Sequence, residues 1–375
     1  QGLPAAMRRD SPALPFTPGM PAVNYFPLPL WRRLMDKALR DEGSTLLGYG
    51  EAAGDPQLRE AIARHLALSR GIRCDIRQIV ITEGALEGVN LCASLLTNPG
   101  DSVWLEEPGY LGARSGFQRA GLRVRGMAVD DEGMCIANGV AEPPRLIFTS
   151  PSHQYPCGSI MSAGRRLALV EYARRHGAWI VEDDYDSEMR FSGQPFPALQ
   201  GLDPQRVIYL GTMSKVLFPS LRIGYAIVPP ELVEAFVGAR TLMDKQSPTA
   251  EQHVLAAYMS EGYFEAHVRR IRKLYAHRRQ VMLELLQTRL ASWGSPQPGE
   301  QGMHLVFWLS AQVDDVAVAL AASQVGLAVR PLSPLYGRET GRPGLMLGFG
   351  GFSEQQLEQG VEKLRSVLER HCGRG

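Results

Sequence analysis

The stretch Gly211-Thr212-Met213-Ser214-Lys215, with Arg222 seven residues further on, sets a primary amine between small hydroxyls and within reach of a guanidinium. An amine can condense with an aldehyde, and hydroxyls with a guanidinium suit phosphoryl oxygens. The preceding run, Arg206-Val207-Ile208-Tyr209-Leu210, reads as a buried strand, apolar and β-branched up to a glycine. A lysine at the carboxyl end of such a strand lies where open α/β sheets bind their ligands. By itself a Ser-Lys pair is more often plain loop surface, so the other strand ends must decide.

Asp183 closes a very apolar run, Trp179-Ile180-Val181-Glu182-Asp183-Asp184-Tyr185. A carboxylate there is costly unless it faces a cation. A protonated ring nitrogen would serve, as would a helix N-cap or a metal-ligand role for the acids at 182–184. Tyr185 can donate to a ring oxygen. Glu106-Glu107-Pro108-Gly109-Tyr110 delivers Tyr110 to the same edge, either to stack on a flat heterocycle or as a core or rim residue. Thr82-Glu83-Gly84-Ala85-Leu86 reads as a strand-to-helix turn. Backbone N–H groups at Gly84, Ala85 and Leu86, with the helix dipole, form an anion site, though a glycine there can also serve packing alone.

These side chains need a frame. Strands at 79–82, 102–106, 122–128, 145–150, 178–183, 206–210 and 223–228 alternate with helices at 84–96, 111–120 and 163–176. That rhythm predicts an α/β fold, a mostly parallel doubly wound sheet with helices on both faces. Upstream, 26–31 reads as extended, followed by helices at 31–41 and 57–70. Past Pro229-Pro230 helices dominate to about 290, the longest starting near 263. After a Gly/Pro-rich connection at 294–302 comes a smaller α+β unit, with strands near 303–309, 328–330 and 345–349 and helices near 313–324 and 353–371. The expected organisation is a linker remnant at 1–23 and a segment at 24–45 that joins the small domain. A large cofactor-binding domain follows at 46–240, then interdomain helices and the small domain at 241–375.

Composition narrows the field. Of 375 residues 45% are hydrophobic and 21% charged, with net charge +1, which gives no global pull toward nucleic acid or membrane. No apolar run reaches the ~18 residues of a membrane span. Cys74, Cys92, Cys135, Cys157 and Cys372 lack Cys-x-x-Cys spacing and read as reduced thiols of a cytoplasmic protein, with no metal framework. The chain opens on Gln1, and 1–19 carries four prolines and no apolar period, so a linker with something upstream is expected.

Taken in order, Thr-Glu-Gly-Ala-Leu from Thr82, Glu-Glu-Pro-Gly-Tyr from Glu106 and Pro-Ser-His-Gln-Tyr-Pro-Cys-Gly from Pro151 precede Glu-Asp-Asp-Tyr-Asp-Ser-Glu from Glu182. Gly-Thr-Met-Ser-Lys from Gly211 and Arg222-Ile223-Gly224 follow. This series resembles fold type I pyridoxal-phosphate aminotransferases. More closely, it resembles the aminotransferase-like portion of the MocR branch of GntR regulators, through Phe16-Thr17-Pro18-Gly19-Met20-Pro21-Ala22, the segments 151–158, 182–193 and 199–204, and Val329-Arg330-Pro331-Leu332-Ser333 with 344–350.

The resemblance implies pyridoxal 5'-phosphate bound as a Schiff base on Lys215, Asp183 on the pyridinium nitrogen, Tyr185 on the phenolate oxygen and Tyr110 stacked on the ring. It implies Thr212, Ser214, Arg222 and the backbone of Gly84–Leu86 on the phosphate. Tyr49 would reach the phosphate of the neighbouring subunit, hence a homodimer. Arg330 is the expected partner of a ligand carboxylate, its alternative being a solvated strand-end arginine. Three departures stand out. Tyr155 occupies the place of the usual asparagine, with His153 or Gln154 expected to take over its contact. The late strand Gly344-Leu345-Met346-Leu347-Gly348-Phe349 has no arginine, and Leu86 replaces a polar residue. The implied function is sensing of a small amino compound for a regulator whose DNA-binding module lies upstream. The alternative is a stand-alone aminotransferase.

Overall fold

The structure, a computed structural model, describes residues 13–136, 142–193, 196–337 and 341–372. Residues 1–12 of the expected linker lie outside them. Helix α1 (Leu28–Glu42) begins ahead of the predicted 31, because Pro29 sits in its first turn, where a missing N–H loses no bond. Asp55 caps α2 (Pro56–Ser69), accepting from the N–H groups of Gln57 and Leu58. Then come β1 (Ile79–Thr82), α3 (Ala85–Leu96), β2 (Ser102–Glu107), α4 (Leu111–Arg119), β3 (Arg123–Asp130), β4 (Gly133–Met134) and β5 (Leu146–Thr149). Helix α5 (Ala163–His176) starts on Ser162 and stops at left-handed Gly177. It leads to β6 (Trp179–Asp184), the short α6 (Leu199–Leu202), β7 (Val207–Thr212) and β8 (Gly224–Ile227).

These strands form one sheet in the order β1-β8-β7-β6-β5-β2-β3-β4. Its centre, β7-β6-β5-β2-β3, is parallel as predicted, whereas β8 runs antiparallel to both β7 and β1. No α-helix intervenes between β7 and β8, and a short connection returns a strand antiparallel. The alternation of strand residues builds two faces. Val103, Leu105, Val181, Ile208 and Leu210 pack with Val89, Phe117 and Phe236 of the covering helices. Trp104, Ile180 and Val207 pack the other way, with Leu169, Val170 and Tyr172 of α5.

The remaining helices are α7 (Val233–Met243), α8 (Thr249–Ser260) and α9 (Tyr263–Arg289). At 27 residues α9 is about 40 Å long. Its buried Phe264, Ile271, Tyr275, Met282 and Leu286 join a core shared with α1, α2, α8 and the second sheet. That sheet is antiparallel, β11-β12-β10-β9, from β9 (Gly294–Pro296), β10 (His304–Leu309), β11 (Arg330–Pro331) and β12 (Gly344–Gly348), with α10 (Asp315–Gln324) and α11 (Glu354–Cys372). Strand β9 falls in the predicted connection; a proline is tolerated there because β9 is an edge.

Candidate functional site

Four strands of the large sheet, β1, β2, β6 and β7, end at one cleft. It has a volume of about 350 Å³ and is lined by Gly84, Ala85, Leu86, Tyr110, Asp183, Tyr185, Thr212, Ser214, Lys215, Arg222 and Arg330, all expected from the sequence. The lysine follows β7 by three residues, and its Nζ donates to the carbonyl of Gly19 at 3.2 Å. On the adjacent strand, paired so that Asp183 lies beside Leu210, Asp183 reaches the same space.

At one part of the wall the donors are anion-seeking. Gly84 precedes α3 at φ +89, a conformation that favours glycine, and a Cβ there would stand 2.8 Å from the Arg222 guanidinium and push it aside. Arg222, itself left-handed at φ 54, donates to the carbonyl of Glu83 at 2.7 Å and stays against the helix start. The first N–H groups of α3 have no partner within the helix. The Ser214 backbone N–H donates to Thr212 Oγ1 at 3.2 Å, while the buried Ser214 Oγ has no hydrogen-bond partner among the described residues. Hydroxyl, helix N-terminus and guanidinium together fit a phosphate.

Elsewhere the wall is acidic. The buried Asp183 Oδ1 also lacks a partner among the described residues. Burial, reinforced by Asp184, Glu106 and Asp186, pushes its carboxyl up to about 8, and Lys215 pulls the other way. A buried acid so placed favours a cationic partner such as a protonated ring nitrogen. Glu106, pushed up to about 7 by burial, is turned into the structure, accepting from Thr149 Oγ1 at 2.6 Å and the Ser150 N–H at 3.2 Å.

Of the three residues around the missing asparagine, only Tyr155 lines the cleft. Gln154 Nε2 is spent on the carbonyls of Pro108 at 2.8 Å and Tyr155 at 2.6 Å. His153 stands behind the wall, its Nδ1 2.8 Å from Asp186 Oδ2 and 3.1 Å from Tyr185 Oη. With its one Nδ1–H given to Asp186, that nitrogen has no lone pair to take the Tyr185 proton, so Tyr185 Oη shares the N–H at most as a second acceptor and keeps its own proton to donate into the cleft. Tyr49 is outside, 83% exposed, with its ring 5.3 Å from Lys245 Nζ.

Sequence reasoning missed Pro18, Gly19, Asp186, Pro219, Met303 and His304, which complete the lining. Gly19 arrives because Phe16 bridges to Gly348 of β12, and the Phe16 carbonyl accepts from the Gly348 N–H at 2.9 Å. The His304 Nε2–H donates to the carbonyl of Pro156 at 3.0 Å, and burial pushes its pKa down to about 3, so the imidazole is neutral. Among the described residues no group of His, Cys, Asp or Glu is placed to hold a metal ion, and no helix is long and apolar enough to cross a membrane.

A lysine and a buried aspartate on adjacent strand ends, beside an anion-binding helix start, define the fold type I, aminotransferase-like class. The model of the aminotransferase class I and II family matches residues 22–364, and the chain belongs to that family. Membership implies pyridoxal 5'-phosphate as cofactor, and the unpartnered Ser214 Oγ and Asp183 Oδ1 fit its phosphate and ring nitrogen. Within the family the chain is 39% identical over 94% of its length, and 72% of the relative's, to the probable rhizopine catabolism regulatory protein MocR of Rhizobium meliloti. It is 36% identical to the uncharacterized HTH-type transcriptional regulator YhdI of Bacillus subtilis, over 97% of this chain and 78% of that protein. Among solved structures, Pyrococcus horikoshii kynurenine aminotransferase in complex with PMP superposes with a TM-score of 0.88 at 29% identity, covering 96% of this chain and 92% of that one.

Proposed function

We propose that this chain is the effector-sensing part of a MocR/GntR-type transcriptional regulator, built on an aminotransferase frame and loaded with pyridoxal phosphate. The observation that carries the reading is the contrast inside one cleft. Lysine, aspartate and phosphate donors are complete, while β12, Gly344–Gly348, offers no arginine to an amino-acid carboxylate. Similarity to regulators over most of the chain supports it.

When bound, the cofactor supplies an electron-withdrawing ring and an aldehyde carbon for which an incoming primary amine competes with Lys215. The chain's own residues divide the rest. Thr212, Ser214, Arg222 and the start of α3 at Gly84, Ala85 and Leu86 hold the phosphate. Asp183 keeps the ring nitrogen protonated, Tyr185 donates to the ring oxygen with His153 and Asp186 steadying it, and Tyr110 stacks on the ring. Arg330 receives the effector's carboxylate. In the cofactor-free chain the Lys215 amine donates to the Gly19 carbonyl. An amine that took its place on the cofactor would return Lys215 as a free donor able to make that bond, and the Gly19 segment is bonded to β12 through Phe16, so the exchange would reach the second sheet. The proposed domains are a large cofactor-binding one at 46–240 and, at 241–375, interdomain helices with a small domain that the segment 24–45 joins.

A homodimer sharing its sites is part of this reading. Leu47, Tyr49, Leu242 and Met243 are all more than half exposed, an apolar set that a second copy would cover while bringing Tyr49 to its partner's phosphate. DNA binding is assigned to a separate helix-turn-helix module, and the location to the cytoplasm. The second reading, an aminotransferase acting on an amino acid, is favoured by the closeness of the solved enzyme.

Titrating the loaded protein with a panel of amino compounds while assaying keto acid separates the two. A saturable shift of the visible band without sustained keto-acid release is expected. Continuous turnover with a keto-acid co-substrate would make the chain an aminotransferase, and absence of any band after adding pyridoxal phosphate would remove both readings.

A further inference from the structure

Arg330 is the first residue of β11 and pairs with Met346 of β12. It therefore sits beside the strand that carries no arginine of its own. The side chain is half-buried, lines the cleft and makes no ion pair among the described residues. Its NH1 donates instead to a neutral group, the Tyr155 hydroxyl, at 2.9 Å. A guanidinium carries five N–H donors, so this bond leaves others for a ligand. A phenol that accepts from a guanidinium keeps its own proton, also available to a ligand.

The phenol is fixed before any ligand arrives. Its ring meets Tyr110 and Tyr185 edge-on, each at 5.8 Å between centroids, and His304 at 6.0 Å. It also packs on Val306, Trp308, Leu332, Leu335 and Met346, a core contributed by the lobe of the smaller sheet. Tyr155 itself follows β5 of the larger sheet, so the Tyr155–Arg330 bond crosses between the two sheets' lobes. Burial holds His304 on the same wall neutral, so it adds no charge beside Arg330.

We infer that Tyr155 is a specificity-determining residue of this cleft, forming with Arg330 a two-donor clamp for the carboxylate of an amine effector. The inference rests on the sensing reading given above and names its ligand class: primary amines that carry a carboxylate, as opposed to simple alkylamines. A carboxylate docking on Arg330 lies next to the phenol and accepts from both groups. Charge-assisted bonds of this kind are the stronger ones, and a donor locked in place loses little freedom on binding. The clamp also gives a carboxylate a grip on both lobes at once, which a simple amine does not have.

The test compares matched ligands on the protein loaded with pyridoxal phosphate, by equilibrium titration of the visible band. Glycine is paired with methylamine, β-alanine with ethylamine and γ-aminobutyrate with propylamine, so that each pair differs in the carboxylate. Wild type should prefer the carboxylate member in at least one pair by about tenfold or more. Tyr155→Phe keeps the ring and its packing and removes the hydroxyl. It should lower that preference by about tenfold while changing the alkylamine's affinity less than about twofold, with the cofactor still bound. Arg330→Ala should abolish the preference.

An unchanged or larger preference in Tyr155→Phe would overturn the inference, because the phenol would then be packing or a mere competitor for Arg330. So would loss of the cofactor band in that variant, which would make Tyr155 a cofactor residue. A wild type that exchanges amines with no regard to the carboxylate would overturn this inference and leave the sensing reading standing. No spectral change with any compound in wild type would overturn both.

Discussion

The two ends of the cleft are built on different terms. Where Lys215, Asp183, Ser214 and Arg222 meet, each group comes from a strand end or helix start of the large sheet, and two buried polar atoms have no partner among the described residues. Where Tyr155, His304 and Arg330 meet, residues from both sheets contribute, and Arg330 and His304 each hold a partner, the Tyr155 hydroxyl and the Pro156 carbonyl. Unpartnered atoms in a rigid frame mark a place made for one constant ligand. Partnered groups on two lobes mark a place where a ligand must displace or join contacts already present. The difference teaches that cofactor grip and ligand choice can change separately on this fold.

Substitutions should show that separation. The largest effect belongs to Lys215→Ala, which should remove the visible band of the loaded protein altogether; a band that persists would place the covalent attachment elsewhere. Asp183→Asn should weaken the cofactor about 100-fold, or ~3 kcal/mol, because it strips a buried cation of its counter-charge. Arg330→Ala measured in the same dialysis should stay within about twofold of wild type. Equal losses in the two variants would erase the distinction between the ends.

Gly84→Ala should lose about tenfold in cofactor affinity. An alanine Cβ displaces Arg222 from the helix start, which weakens the phosphate site; the strain of an alanine at φ +89 falls on the fold itself. Unaltered binding would show that the start of α3 and Arg222 do not hold the phosphate.

A smaller effect concerns pH. Asp183 is pushed up to about 8 in the cofactor-free protein, against about 3.9 for an unfolded chain. Between those values the unfolded chain binds fewer protons, so stability falls as pH rises and levels off above about 8. Glu106, at about 7, acts in the same direction; His65, raised to about 9 beside Glu188 and Glu265, gives stability that is lost as pH rises toward 9. Thermal melts of cofactor-free wild type and Asp183→Asn isolate the aspartate. The variant should show the shallower decline between about pH 5 and about pH 8, and identical slopes would contradict the buried-acid account.

What was legible in the sequence follows the same division. The strand-end residues could be read because each closes a β-branched apolar run whose period marks it as buried, as Val207–Thr212 and Trp179–Asp184 do. The alternating frame followed from the same runs. Short or irregular pieces escaped, such as β9 and the early start of α1, because proline at an edge or in a first turn looks like loop. Gly19, Met303 and His304 escaped for another reason. Each enters the cleft through a long-range pairing, Phe16 with Gly348 or β10 with β12, and local sequence carries no mark of it. Tyr155 was visible as a departure from a pattern, but its bond to Arg330, 175 positions away, was not.

The central claim is that Lys215 is the covalent seat of the cofactor. Reducing the loaded protein with borohydride locks a lysine-bound aldehyde as a stable secondary amine, and peptide mass spectrometry then locates it. The account predicts the added pyridoxyl mass on the peptide containing Lys215 and on no other lysine. Label on a different lysine, or none on a protein that retains pyridoxal phosphate through gel filtration, would contradict it.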